Sequence, residues 1–484
     1  MTALPAGFRI AVDPDTKELD AATLSGGSPT HVLRLTPAGA RAWKELRHDC
    51  AVSSRGEGVL ARRLTDAGLA HPRPGASARS EVTVVIPVRD RTALLERCLS
   101  ALGAERPVVV VDDGSVDPEA IAAVARHHGA RLLRRDVSGG PGTARNTGLG
   151  HVEGEFVAFL DSDCVPPRGW IDTLAAHFAD PLVGAVAPRI VAEPSISSAG
   201  RYAAQFGSLD LGPHEARVVP ASRVAYVPTA ALLVRRAALA ELGTGDGVFD
   251  PALRYGEDVD LIWRLHEAGW RIRYDPSVAV AHREPDTWTV LLSRRFRYGT
   301  SAAPLTRRHP RSMHPLVLHA GPAATVAALL ARRPLLAVTA FATYFTSLTR
   351  TLTRARIPAN RALPASLDAI RQTWIGLGRY LSQFAAPVLI AGLALRGRRR
   401  WGRRAALASL LLAPALTPAR SPARTTGLDP ARRAAARLGD DIAYGAGVWT
   451  GCVRERTFTP LLPAIAWRPL RIAPAAPGTE RSPR

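Results

Sequence analysis

Between residues 80 and 300 the apolar positions fall in short continuous runs instead of alternating with polar ones. Val82–Val88 and Val108–Val111 are apolar and β-branched, and Glu155–Leu160 and Gly184–Val191 supply two more runs. Such runs are the mark of strands covered on both faces. Stretches with helical spacing lie between them, around 91–103, 117–128, 142–151 and 170–179. Strand and helix in alternation predict an α/β fold with a mostly parallel sheet. In such sheets ligands sit beyond the carboxyl ends of the strands, so the chemistry is sought there.

The flanks follow other rhythms. In residues 1–77, "FRIAVDPDTKELDAATLSGGSPTHVLRL" gives short strand-like runs broken by Asp-Pro and Gly-Gly turns. "TPAGARAWKEL" then opens a helix with Thr36 as N-cap and Pro37 at its first position, and "GVLARRLTDAGL" is a second helix ending near Gly68. A small α+β, winged-helix-like domain is expected, joined by a linker at 71–80.

Residues 301–474 carry apolar runs at 315–331, 334–349, 384–395 and 405–416. Arg332–Arg333, Arg396, Arg398–Arg400 and Arg403–Arg404 interrupt them. A bilayer span takes about 20 apolar residues. Only 373–395 reaches that length, with Arg379 near one end. Short spans with snorkelling arginines, interfacial helices and a soluble helical bundle are all open readings. Arginines beside apolar runs suit an anionic cytoplasmic leaflet, so the expected location is the cytoplasmic face of the cell membrane, integral or peripheral. Residues 475–484 read as a disordered tail.

Composition narrows the classes. A hydrophobic share of 46% excludes a disordered chain, and the formal net charge of +21 favours anionic partners: nucleotides, nucleic acid or anionic lipid. Almost all of that charge is arginine, Lys17 and Lys44 being the only lysines. Cys50, Cys98, Cys164 and Cys452 form no CxxC pair, so neither a zinc ribbon nor a disulfide framework is indicated and a reducing compartment fits. The N-terminus lacks the basic and apolar regions of a signal peptide.

Three of the predicted strands end in acids: Asp90 in "VIPVRDR", Asp112 and Asp113 in "VVVVDDGS", and Asp161 and Asp163 in "FVAFLDSD". Singly, each is an ordinary turn. Together on one sheet edge, like charges cost energy unless a cation joins them, and a hard divalent cation with a nucleotide diphosphate meets that need. Between the second and third endings lies "SGGPGTARNTGLG", a glycine-rich loop leading into a helix that carries Arg145. It has no GK[ST] and is no clean GxGxxG.

Farther on, Glu257 and Asp258 open a helix after Gly256. First-turn acids are ordinary there, since they complement the dipole. Asp258, however, shares its helix face with Leu261, Ile262 and Leu265, and an inward carboxylate is a general-base candidate. His282 reads equally as a metal ligand or a core histidine. "SRRFRYG" (293–299) suits a pyrophosphate, a membrane surface or a solvated face.

The order of "VIPVRDR", "VVDDGS", "GGPGTARNTGL", "FLDSDC" and "GEDVDLIWRLHEAGW" resembles a family 2 glycosyltransferase with the GT-A fold, over about 80–300. The resemblance implies a nucleotide-sugar donor, Mg²⁺ or Mn²⁺, and an inverting single displacement. Donor contacts would come from Pro87, Asp90, Asp112, Asp113, Arg145 and Asp161. Asp163, with Asp161 and His282, would hold the metal. Asp258 would be the base and Glu257 would position acceptor or base. "VRDR" stands where the family usually has an aromatic and Asn, which leaves the part of Asp90 open.

The head, with "SGGSPTHVLRLTPAGARAWKEL", resembles domains that bind leader peptides in peptide-derived cofactor pathways. Head, core and basic apolar tail together resemble the glycosyltransferases of such an actinobacterial pathway. That resemblance implies UDP-glucose as donor, a peptide-derived redox cofactor as acceptor and a short β-glucan as product, with an anionic membrane surface nearby and no nucleic acid. Two alternatives stand beside it: a membrane-linked transferase of cell-wall polysaccharide or glycolipid, and an inactive GT-A scaffold that binds a modified peptide.

Overall fold

The computed structural model describes residues 2–75, 80–243, 247–354, 357–386, 401–415 and 428–466. Contacts divide it into two units. One holds residues up to Pro194 together with Phe206–Glu284, and the other holds Ser195–Gln205 with Pro285–Ile472.

The first unit begins with the head. Strands β1 (Arg9–Val12), β2 (Lys17–Asp20), β3 (Thr23–Gly26) and β4 (His31–Arg34) precede helices α1 (Pro37–Leu46) and α2 (Arg55–Asp66). Thr36 caps α1 by accepting from the Gly39 N–H, and Ser54 with Glu57 forms a capping box on α2. The inward faces of both helices, Trp43, Leu46, Leu60 and Leu64, close a core with Ile10, Leu24, Leu33 and Leu69. The stretch expected to be linker differs. Its first residues form β5 (Ala70–Arg73), antiparallel to β1, because β1 offers them a free edge of backbone donors and acceptors. Residues 76–79 of that stretch lie outside the described residues.

The core sheet has nine strands. β6 (Val82–Val88), β7 (Val108–Asp113), β8 (Arg131–Arg135) and β9 (Phe156–Leu160) run parallel. Helices α3 (Thr92–Leu102), α4 (Pro118–His127) and α5 (Pro141–Leu149) alternate with them. After β9 come the two-residue β10 (Cys164–Val165), α6 (Trp170–Ala175), β11 (Val183–Ala192), α7 (Ser198–Phe206) and the short β12 (Ala216–Arg217). β13 (Ala231–Arg235), α8 (Arg236–Leu242), α9 (Glu257–Glu267) and β14 (Arg271–His282) complete the order. The sheet is mixed, since β13 lies antiparallel between β9 and β11. Strand direction is invisible to periodicity when both faces are covered, so the apolar run of β13 reads the same either way. The carboxyl ends of β6, β7 and β9 do share one edge.

Close packing sets α5 against that edge. A Cβ on Gly148 would come within 2.4 Å of a Val85 methyl, so only glycine lets the helix lie this near the sheet, one turn after Arg145. Pro87 is buried in β6 opposite Val111, past the end of the β9 ladder at Val85, where its missing N–H is tolerated.

The second unit is helical and opens at Pro285, earlier than the boundary near 300 that the sequence suggests. It holds α10 (Trp288–Thr300), α11 (Ala302–Arg308), β15 (Val317–His319), α12 (Ala320–Leu330), α13 (Pro334–Arg354) and α14 (Ala362–Phe384). Helices Trp401–Ala415 and Pro430–Arg454 follow. α10 belongs here because it packs directly on helix Pro430–Arg454, where a Cβ on Gly447 would meet the Phe296 carbonyl at 1.9 Å. Among the described residues no helix is long and apolar enough to cross a membrane. Residues 387–400, which include most of the longest apolar stretch, and the tail at 475–484 lie outside the description.

Candidate active site

The first acid pair serves its own loop. Asp112, fully buried at the end of β7, accepts from the Ser115 N–H and from Arg134 on β8. Asp113 accepts from Arg135 Nε at 2.9 Å, Ser138 Oγ at 2.7 Å, and the backbone N–H groups of Gly139 and Gly140 at 3.0 and 2.8 Å. Burial works to raise the pKa of Asp113, but those donors outweigh it and hold the carboxyl below its ordinary value. The glycine-rich stretch is thus pinned to the end of β7. Asp90 braces the same turn: it sits in the left-handed region at φ 53°, and its Oδ1 accepts from the Val116 N–H at 2.7 Å.

The second pair reaches farther. Asp161 Oδ1 accepts from Arg145 Nη2 at 2.7 Å, and Arg145 Nη1 donates to Glu257 Oε1 at 3.0 Å. Arg145 is itself buried, with Nε unpartnered, and its guanidinium lies 5.7 Å from the Phe249 ring centroid. Burial disfavours its charge, yet Asp161 and Glu257 more than compensate and keep it a cation. Asp163 faces another set. Its Oδ1 is 3.5 Å from His282 Nε2, and its Oδ2 pairs with Arg91. The antiparallel register of β10 on β14 sets Cys164 opposite His282, which brings the imidazole beside the neighbouring Asp163. On its far side His282 Nδ1 is 3.0 Å from Glu284 Oε1, a contact that orients the ring.

Asp163 and His282 suit a divalent cation. Donor atoms 3.5 Å apart can both reach one ion at ligand distances of about 2.1 Å. Of each neighbouring carboxylate one oxygen is taken by an arginine, Asp161 Oδ1 by Arg145 and Asp163 Oδ2 by Arg91. Among the described residues, the one group of three or more ligand-type side chains within metal-sharing distance is Glu96, His127 and His128, on α3 and at the end of α4.

Glu257 and Asp258 open α9 after Gly256, whose φ of 80° turns the chain into the helix. Leu261, Ile262 and Leu265 are buried as their spacing predicts. Glu257 is the more buried acid, while Asp258 is only partly covered. Burial raises the pKa of both. Arg145 opposes the rise at Glu257, whereas at Asp258 the negative Glu257 adds to it and the carboxyl is pushed up to about 7. A carboxylate of that basicity can take a proton from a hydroxyl near neutral pH.

Sequence reasoning missed Arg91, Arg134 and Arg135, which partner the acids, and Glu284, which partners His282. Arg134 and Arg135 carry a readable signal: β8 pairs parallel with β7, so its arginines come opposite Asp112 and Asp113. The approach of Arg91 to Asp163, 72 residues on, has no local signal.

Parallel strands of a mixed sheet thus end in acids on one edge, and Arg145 links Asp161 there to Glu257 at the start of α9. Residues 83–243 match the family model described as glycosyl transferase family 2, so the class is a family 2 glycosyltransferase. The particular relative follows from the whole length. The pre-mycofactocin glycosyltransferase of Mycobacterium tuberculosis (strain H37Rv) is 40% identical over 490 aligned residues, covering 96% of this chain and 99% of that protein. The chain belongs to the pre-mycofactocin glycosyltransferase family. A second relative, the N-acetylglucosaminyl-diphospho-decaprenol L-rhamnosyltransferase of the same organism, is 33% identical over 229 residues, 39% of this chain and 72% of that protein. Among solved structures, the mannosyltransferase PcManGT of Pyrobaculum calidifontis, in complex with GDP-Man and Mn²⁺, shows 22% identity and a TM-score of 0.39 over 70% of this chain and 88% of that one.

Proposed function

We propose that the chain is an inverting, metal-dependent transferase with a GT-A-like core. In this reading it moves glucose from UDP-glucose to the peptide-derived cofactor precursor, pre-mycofactocin, and extends it into a short β-linked oligosaccharide. The observation that carries the chemistry is the basic Asp258 joined through Glu257 and Arg145 to Asp161 at the sheet edge. The full-length likeness to the mycobacterial pre-mycofactocin enzyme supports the acceptor.

Asp163 and His282 would hold Mg²⁺ or Mn²⁺, which supplies a positive centre for the departing diphosphate. Glu284 orients His282, and Arg145 holds Asp161 in place at the donor edge. The glycine-rich loop, its Gly139 and Gly140 N–H groups tied down by Asp113, lies beside the donor in this reading. Asp258 accepts the proton of the acceptor hydroxyl as that oxygen attacks the anomeric carbon, and Glu257 holds the base in place. Attack from the face opposite the leaving group inverts the centre.

The second unit is proposed to rest on the cytoplasmic face of the membrane. Leu335, Leu336 and Val338 are exposed on α13 next to Arg332 and Arg333, a combination suited to anionic lipid. The experiment is a donor and acceptor screen read by mass spectrometry. A mass gain of one or more hexoses on pre-mycofactocin with UDP-glucose and divalent metal is expected. Transfer only to a polyprenyl lipid acceptor would overturn the reading.

A further inference from the structure

A charge cluster far along β14 from His282 has no part in the site above. α2 of the head lies against the core there, and two bidentate pairs cross the seam. Arg62 donates to both oxygens of Asp180 at 2.6 and 2.8 Å, and Arg271 to both oxygens of Asp66 at 2.7 and 2.6 Å. Those two carboxylates are thereby engaged. Two more arginines sit among them. Arg273 is two residues along β14 from Arg271 and so on the same face. Arg217 on β12 is its directly opposed partner in an antiparallel register, an arrangement that sets like charges side by side.

Arg273 is only 3% exposed, and none of its three guanidinium nitrogens has a hydrogen-bond partner. Burial and the push of Arg62 and Arg217 outweigh the pull of Asp66 and Asp180 and lower its pKa to about 10. It is therefore still a cation at neutral pH. The layer holds four guanidinium groups and two carboxylates. A buried charge without a counter-charge is among the costliest things a fold can contain. Water can accept the N–H groups but cannot neutralise them.

We propose that the head–core seam binds a small tetrahedral oxyanion, of the phosphate or sulfate class, between Arg273 and Arg217. Planar guanidinium forks match two oxygens of such an ion at once. The depth of Arg273 favours a free inorganic ion over the phosphate of a larger molecule, and the partly covered Arg217 is the way in. The ion completes the electrostatic contact that holds α2 on the core. It is separate from the proposed donor site, because neither arginine touches Asp161, Asp163 or Asp258.

Thermal unfolding of the full chain with increasing inorganic phosphate, against chloride at equal ionic strength and with chelator present, tests this. The wild type is expected to gain stability along a saturating curve, as for any ligand that binds only the folded state. Arg273→Met is expected to lose that gain and Arg217→Gln to shift it to at least tenfold higher phosphate. If Arg273→Met does not fold, Arg217→Gln alone decides. An equal response in wild type and variants would place the ion elsewhere. A response no larger than that to chloride would mean no such site exists, and either result overturns the proposal. Failure here leaves the transferase reading untouched, since transfer is not the readout.

Discussion

Two acid pairs end strands on either side of β6, and they look alike in sequence. Asp112 and Asp113 are satisfied by residues within the next 27 positions: Ser115, Arg134, Arg135, Ser138, Gly139 and Gly140. Asp161 and Asp163 are met by Arg145, by Arg91 from the turn between β6 and α3 and by His282 from the last strand of the sheet. The first pair closes a local loop. The second reaches farther: Asp163 meets Arg91 across 72 residues, and the nearby Arg145 ties Asp161 to Glu257 across 112. Acids that hold their own loop are structural first, whereas acids engaged by distant groups build a site.

That contrast can be broken by experiment. The largest effect is expected at the proposed base: Asp258→Asn should cut kcat by about 10²–10⁴ with donor binding kept, and near-normal kcat in stopped assays would remove Asp258 from the role. Next, Asp163→Asn or excess chelator should lower kcat/KM by about 10²–10³ with little change in Tm. Full activity in chelator would refute the cation assignment. Glu284→Gln, acting through His282, should weaken Mn²⁺ binding by about 10–100-fold, measured by calorimetry.

Asp113→Ala should behave in the opposite sense. Removing an acceptor shared by two backbone N–H groups and two side chains should cost about 1–3 kcal/mol of stability, read from denaturant unfolding. A fully stable variant would mean that the loop is held some other way.

The smallest effect is on pH. Asp258 is raised in the folded chain from the usual 3.8 to about 7, so the folded state binds more protons between those values and stability falls as pH rises through that window. Asp258→Asn should flatten the fall. In the wild type kcat/KM should rise as pH passes about 7. A profile flat from 6 to 8 would argue against a base of that basicity.

Much of this was legible in the sequence, for physical reasons. Continuous apolar runs located β6, β7, β9 and β11, and parallel strands ending in acids located the edge. Helix signals located α1, whose Thr36–Pro37 start is a local hydrogen-bonding pattern. What was hidden is what depends on distant pairing. β10 is only two residues long, yet its register brings His282 to Asp163. Arg62 and Arg271 look like surplus surface charge until Asp180 and Asp66 meet them. The start of the helical unit at Pro285 rests on the packing of α10 against a helix more than 100 residues later, which no local window can register.

β14 itself carries a mechanical consequence. At one end Arg271 grips Asp66 of the head, and at the other His282 faces Asp163. Its 12 residues would span about 36 Å if fully extended, so it acts as a tie rod between the head and the Asp163–His282 edge. Its ladder to β11 slips twice, on β11 between Val183 and Ala185 and on β14 between Asp275 and Ala279, and the second slip is the joint within the rod. A pull on the head would be taken up as bending at that joint, which leaves the His282 end held in register by β10 and β11.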